Sequence, residues 1–230
     1  MSGHDGSTAT TETLLMGDVV TLLYLVRHAE QEHTPDEDPS AGLSPTGRRQ
    51  AQLLGQRLRR VPFDGIHHSP LKRAEETAHL VAATLPGVPV DSTALLSDRT
   101  PVPSPEQEAA YSARDLAWLA TVPAAERDED GAVISSAMRH FVRLGAEART
   151  SQGQPRPSHR LLITHAFVIS WLVREVLEAP TRRWLSLTPF NCGLTVIECR
   201  PEQPPTLITF NDVGHLPLEI RGRTPRDLLA

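Results

Sequence analysis

The sequence predicts an α/β domain: a three-layer α/β/α sandwich with a mostly parallel central sheet and a helical lid insertion. Strand-like and helix-like segments alternate through most of the chain. The run Val19 to Val26 is apolar almost throughout, as a strand buried on both faces requires. A further strand-like segment, Arg160 to Thr164, ends like the first in a histidine: His28 follows LYLVR and His165 follows LLIT.

Taken in order, the first 18 residues are rich in Ser, Thr and Gly and read as a disordered tail, without the basic start and apolar stretch of a signal peptide. The first strand follows, then an acidic loop from Gln31 to Gly42. LSPTGRRQAQLLGQRLRR opens a helix with Ser44 as N-cap and Pro45 in the first turn, and Ala51, Leu54 and Leu58 share one face. Phe63 to His68 is a short second strand. SPLKRAEETAHLVAATL repeats the helix start, with Ser69 as the expected cap. Arg73 then lies in a first helical turn, where oriented N–H groups favour an anion.

Val88 to Val90 reads as a brief third strand. Ser104, Pro105 and Gln107 suggest a helix start, with the helix running to about Val122. Ala124 to Gly131 reads as a loop, and a further helix is expected from about Val133 to Arg149. The stretch from about 93 to 131 is the candidate lid. Gln152 to Ser158 is a Pro-rich linker. After the Arg160–Thr164 strand, helices are expected from about Phe167 to Glu178 and Thr181 to Leu187. Leu194 to Glu198 and Thr206 to Phe210 form a closing pair, antiparallel because the connection is short. The main domain is expected over 19–215, with 216–230 as a surface tail.

At 230 residues the chain can bury a sizeable single core. Its net charge of −5 and lack of a basic stripe argue against a nucleic-acid partner. The run from Leu161 to Val173 is too short and too polar to span a bilayer, so no membrane partner is expected. The spacing of Cys192 and Cys199 matches no disulfide framework, which makes a reducing, cytoplasmic setting the default. No metal-ligand spacing stands out. The sequence leaves the oligomeric state open.

The right-handed crossover rule puts the carboxyl ends of the two histidine-terminated strands on one edge of the sheet. Ligands of α/β proteins bind outside such ends. Arg27 offers a planar fork suited to phosphate oxygens, and a neutral His28 is a competent nucleophile near pH 7. Taken singly, His165 reads as a satisfied strand-end residue and Arg73 as a solvated helix residue.

LYLVRHAE, LSPTGRRQA, SPLKRAEETA and LLITHAFVISWLV, in that order, resemble the histidine phosphatase superfamily, or phosphoglycerate mutase-like family, from about Val19 to His215. The resemblance implies His28 as the nucleophile that becomes phosphohistidine. It implies Arg27 and Arg73 as phosphate-holding arginines and His165 as the second histidine, which donates to the transferring group while protonated. Asp98, two residues after Leu96, matches the spacing of the general acid; Glu106 and Glu108 are its rivals. Ser69 lies near the phosphate arginine. Glu30 either shapes the pocket or is structural. Two positions depart from the family, Ala29 and Ala166, where Gly is usual.

The activity implied is a phosphatase acting without metal or other cofactor on a small phosphorylated substrate, a histidine acid-type phosphomonoester hydrolase. A mutase is the other enzymatic reading. It needs extra basic groups in the lid, which here holds Arg99, Arg114 and Arg127 among acidic and apolar residues. A phosphate-binding module without turnover is the non-enzymatic one.

Overall fold

A computed structural model describes residues 19–33, 40–150 and 156–222. The expected N-terminal tail lies outside these residues. So do 34–39 of the acidic loop, 151–155 of the linker and 223–230 of the C-terminal tail.

Six strands form the main sheet: β1 (Thr21–Arg27), β2 (Gly65–His68), β3 (Val90–Ser92), β6 (Ser158–Thr164), β7 (Leu194–Cys199) and β8 (Thr206–Asp212). Their order is β3-β2-β6-β1-β7-β8. β1, β2, β3 and β6 are mutually parallel, and β7 runs antiparallel to both its neighbours. The sheet is therefore mixed but mostly parallel, with the closing antiparallel pair that the short connection dictates.

Side-chain alternation sends the sheet's two faces into two cores. Leu23, Leu25 and Leu162 pack with Ile134 and Phe141 of α4 (Ala132–Thr150) and with Trp171 and Leu172 of α5 (Ala166–Val176). Val26, Leu161 and Ile163 face the other way. They pack on Leu54 of α1 (Pro45–Leu58) and on Ala78 and Val81 of α2 (Lys72–Ala82). Helices thus cover both faces, as the expected three-layer sandwich requires.

Ser44 caps α1 as expected, its hydroxyl accepting from Gly47 N–H over 2.9 Å. A Cβ on Gly47 would collide with the carbonyl of Glu30, so only glycine lets α1 start this close to the loop after β1.

Other expectations need correction. Ser69 does not cap the second helix: α2 starts at Lys72, and its N-cap, Leu71, makes no side-chain bond. The Ser69 hydroxyl instead faces His165. No helix starts at Ser104, whose backbone N–H is taken by Asp130. The region folds as a 3₁₀ turn, Glu108–Ala110, and a short α3 (Ala113–Leu119). Ser112 and Asp115 supply the actual capping box of α3. The expected loop at 124–131 contains β5 (Arg127–Glu129), paired in parallel with β4 (Thr100–Val102). Within the expected C-terminal surface tail, Leu218–Ile220 forms a 3₁₀ turn whose Ile220 carbonyl accepts from Gln50.

Candidate active site

β1 and β6 lie side by side in parallel, with Arg27 opposite Thr164. The next residue of each chain is a histidine, so His28 and His165 leave the same sheet edge together. Their ring centroids are 5.2 Å apart. β2 pairs with the other side of β6, bringing its following residue, Ser69, alongside: Ser69 N–H donates to Ile163 O over 3.0 Å. The turn after Ser69 opens α2, and Arg73 reaches back from its first turn.

His28 is buried, and its Nδ1 lies 2.8 Å from the carbonyl oxygen of Ala29. A carbonyl only accepts, so Nδ1 carries the proton and Nε2 presents a lone pair. Arg73 Nε donates to that lone pair over 3.2 Å. Burial first, then the charges of His165, Arg27 and Arg73, hold the His28 pKa well below its ordinary value. His28 is therefore neutral near pH 7.

Arg73 Nη2 donates to Asp98 Oδ2 over 2.8 Å, and His165 Nδ1 lies 3.2 Å from the same oxygen. His165 Nε2 lies 2.9 Å from Ser69 Oγ, which accepts from Leu71 N–H over 3.3 Å. His165 Nδ1 also lies 3.5 Å from Arg73 Nη2, which can only donate, and Nε2 shares a hydrogen bond with the Ser69 hydroxyl. The expectation of a protonated His165 needs correction for the unliganded site. Burial, then Arg73 and Arg27, push its pKa well below the usual histidine value.

Asp98 is one-third exposed at its side chain. Burial nevertheless raises its carboxyl pKa, against the opposing pull of Arg73 and Arg27. Arg27 donates from Nη1 to Pro189 O over 2.9 Å, while its buried Nε has no hydrogen-bond partner among the described residues. Two guanidinium groups, two neutral imidazoles and one carboxyl thus share one hollow. Its balance favours an anion with several acceptor oxygens. Among the described residues, no group of three or more His, Cys, Asp or Glu is placed to hold a metal ion.

The family model for the histidine phosphatase superfamily (branch 1) matches residues 23–213. The chain belongs to this superfamily. Within it, the chain is 31% identical over 204 residues to the mitochondrial serine/threonine-protein phosphatase PGAM5 of Xenopus laevis, covering 88% of this chain and 69% of that protein. It is 33% identical over 197 residues to the human protein of the same name, covering 85% and 63%. The chain thus spans about two thirds of the length of these relatives. Among solved structures, a Bacillus anthracis phosphoglycerate mutase aligns with a TM-score of 0.66 at 18% identity, over 87% of this chain and 96% of that one. A mycobacterial glucosyl-3-phosphoglycerate phosphatase aligns at 0.63 and 21%, over 84% and 99%. These likenesses show the fold.

For a histidine phosphatase superfamily member, the two departures are mild. Neither Ala29 nor Ala166 has a positive φ, so neither backbone needs glycine. Glu106 and Glu108 are exposed on the segment after β4, while Asp98 touches both Arg73 and His165. Glu30 turns away from this group: its Oε1 accepts from Ser44 Oγ over 2.6 Å, at the cap of α1. Two polar residues outside the sequence-predicted set, Thr77 and Asn191, also fasten the loop after β1. Thr77 Oγ1 accepts from Ala29 N–H over 3.0 Å, and Asn191 Nδ2 donates to His28 O over 2.8 Å. No local sequence signal marks Thr77, because its burial and its bond to the loop after β1 arise from tertiary packing of α2. Among the described residues, no helix is long and apolar enough to cross a membrane.

Proposed function

We propose that this protein hydrolyses a phosphomonoester through a phosphohistidine on His28, without a metal. The observation that carries the reading is the unprotonated Nε2 of His28, aimed at Arg73 with His165 beside it. Arg27, Arg73 and His165 hold the phosphoryl group. An incoming phosphoryl oxygen takes over the Arg73 N–H donors and frees the Nε2 lone pair.

Nε2 then attacks phosphorus, and the ester P–O bond breaks. Asp98 gives its proton to the leaving oxygen, which its raised pKa favours. In the second half, the Asp98 carboxylate takes a proton from water as that water attacks phosphorus. The P–N bond breaks, releasing inorganic phosphate and neutral His28. Positioning and charge stabilisation carry most of the barrier lowering, as in other phosphoryl transfers.

The names of the PGAM5 relatives favour a phosphoserine or phosphothreonine side chain as substrate over a small metabolite. The segment over about 93–131 serves as the lid. Cys192 and Cys199 are free and buried, which supports a reducing compartment such as the cytoplasm. The mutase reading gains nothing from Arg127, whose Nη1 is spent on the Leu119 carbonyl.

The test is hydrolysis of p-nitrophenyl phosphate and of phosphoserine and phosphothreonine peptides in the presence of a chelator. The wild type is expected to turn over and His28→Ala to be inactive. Turnover that survives His28→Ala overturns the nucleophile. Phosphate binding by a wild type that hydrolyses none of these esters favours the binding module.

A further inference from the structure

The peptide plane between His28 and Ala29 is held from both sides. Its carbonyl, His28 O, accepts from Asn191 Nδ2 over 2.8 Å. Its N–H, on Ala29, donates to Thr77 Oγ1 over 3.0 Å. Thr77 is fully buried, and its one hydroxyl proton goes to the Arg73 carbonyl over 2.6 Å. Each partner of this peptide therefore has a fixed role, and Thr77 cannot swap donor for acceptor.

The consequence reaches the imidazole. The carbonyl that takes the His28 Nδ1 proton belongs to Ala29, the next peptide along. Its direction depends on where the Ala29 N–H points. Thr77 is also the α2 residue one turn beyond Arg73, so the same hydroxyl ties the helix carrying the arginine to the loop carrying the histidine. Asn191 is placed by a tight turn: Cys192 has φ 55° and its N–H donates to Arg27 O over 2.9 Å. A left-handed non-glycine residue carries strain, which tends to collect where function fixes the backbone.

We infer that Thr77 and Asn191 are positioning residues that clamp the His28–Ala29 peptide, fixing His28 as the Nδ1–H tautomer with Nε2 in line with the phosphoryl group. The inference rests on the reading of His28 as nucleophile. Neither residue touches the phosphoryl group; each acts through the backbone of the loop.

The test compares Thr77→Val and Thr77→Ser in the full chain. Turnover, inhibition by inorganic phosphate and the imidazole ¹⁵N spectrum are measured alongside thermal unfolding. Thr77→Val keeps the side chain's shape but removes both bonds. It is expected to lower kcat about 10- to 100-fold, as small misplacements of reacting groups do. KM and phosphate inhibition should stay within about two-fold, since the phosphate-holding groups remain. The ¹⁵N spectrum of His28 should lose its single Nδ1–H tautomer. Thr77→Ser should recover most of kcat and the wild-type spectrum.

Asn191→Ala, at a partly exposed site, gives the same readouts if Thr77→Val does not fold. A wild-type ¹⁵N spectrum and kcat in a folded Thr77→Val or Asn191→Ala protein overturns the clamp. So does a raised KM with unchanged kcat. Turnover that survives His28→Ala sinks the nucleophile reading instead, and the tautomer spectrum still judges the clamp by itself.

Discussion

Arg73 Nε donates to His28 Nε2 over 3.2 Å; in the proposed mechanism one guanidinium therefore both marks the attacking lone pair and waits where phosphoryl oxygens arrive. The same side chain holds Asp98 through Nη2. Arg73→Ala removes the charge that stabilises the transferring group and leaves Asp98 without its cation. By analogy with loss of an oxyanion donor, kcat/KM is expected to fall about 10²- to 10³-fold. Steady-state hydrolysis of a phosphopeptide checks this, with circular dichroism to verify the fold.

Asp98 gives a prediction that depends on the leaving group. Burial lifts its pKa against the pull of Arg73 and Arg27, so the acid form persists to higher pH than in a free aspartate. Activity needing that proton declines as pH rises through the raised pKa. Asp98→Asn should flatten this decline and slow alkyl phosphomonoesters by about 10²-fold or more, the usual worth of a positioned acid. Loss with p-nitrophenyl phosphate should be smaller in the first step, because nitrophenolate leaves without a proton. Equal losses on both substrates in single-turnover experiments would remove Asp98 as the acid.

The two histidine strands were legible because nothing local competes with a continuous apolar run ending in charge. The crossover rule put both strand ends on one edge of the sheet, but the pairing of β1 with β6 that makes His28 and His165 meet is a tertiary outcome. Asp98 was visible only by resemblance, since a loop aspartate has no periodic signal. The caps misled where tertiary partners won. Ser69 and Ser104 both have cap-like sequences, but the first is taken by His165 and the second by Asp130. β4 and β5 are three residues each and contain too few positions for alternation to show. The neutral state of His165 could not be read either, because it comes from burial and from cations distant in sequence.

His67 should make the fold acid-sensitive. It is buried on β2 against the Phe141 ring, with centroids 5.0 Å apart, and its Nε2 has no hydrogen-bond partner among the described residues. Burial and Arg160 lower its pKa from 6.5 to about 4. Above 6.5 neither the folded nor the unfolded chain binds the proton, so His67 has no effect. Between 6.5 and about 4 only the unfolded chain binds it. Stability is lost as pH falls through that window, by ~3 kcal/mol in all from this residue. His67→Gln removes the titration. Urea midpoints from pH 7 to pH 4 should fall less steeply in the variant, and parallel curves would show that other groups govern acid unfolding.

Glu30 and Ser44 separate a stabilising carboxylate from a chemical one. Glu30 sits two residues past His28, a place that invites a catalytic reading. Its Oε1 nevertheless accepts from Ser44 Oγ over 2.6 Å, while Ser44 Oγ accepts from Gly47 N–H and so caps α1. The Glu30 backbone is fastened as well, N–H to Gln50 Oε1 and carbonyl to Ser44 N–H. Ser44→Ala removes the cap and is expected to cost about 1–2 kcal/mol of stability. Glu30→Gln keeps an acceptor but weakens a charge-assisted bond, with an expected cost of about 1 kcal/mol. Both should leave kcat within about three-fold, since neither side chain reaches the phosphate-holding group. Urea unfolding and phosphopeptide turnover on the same samples decide it. If Glu30→Gln instead kept its unfolding midpoint and lost turnover, the carboxylate would belong to the chemistry and the cap would be secondary.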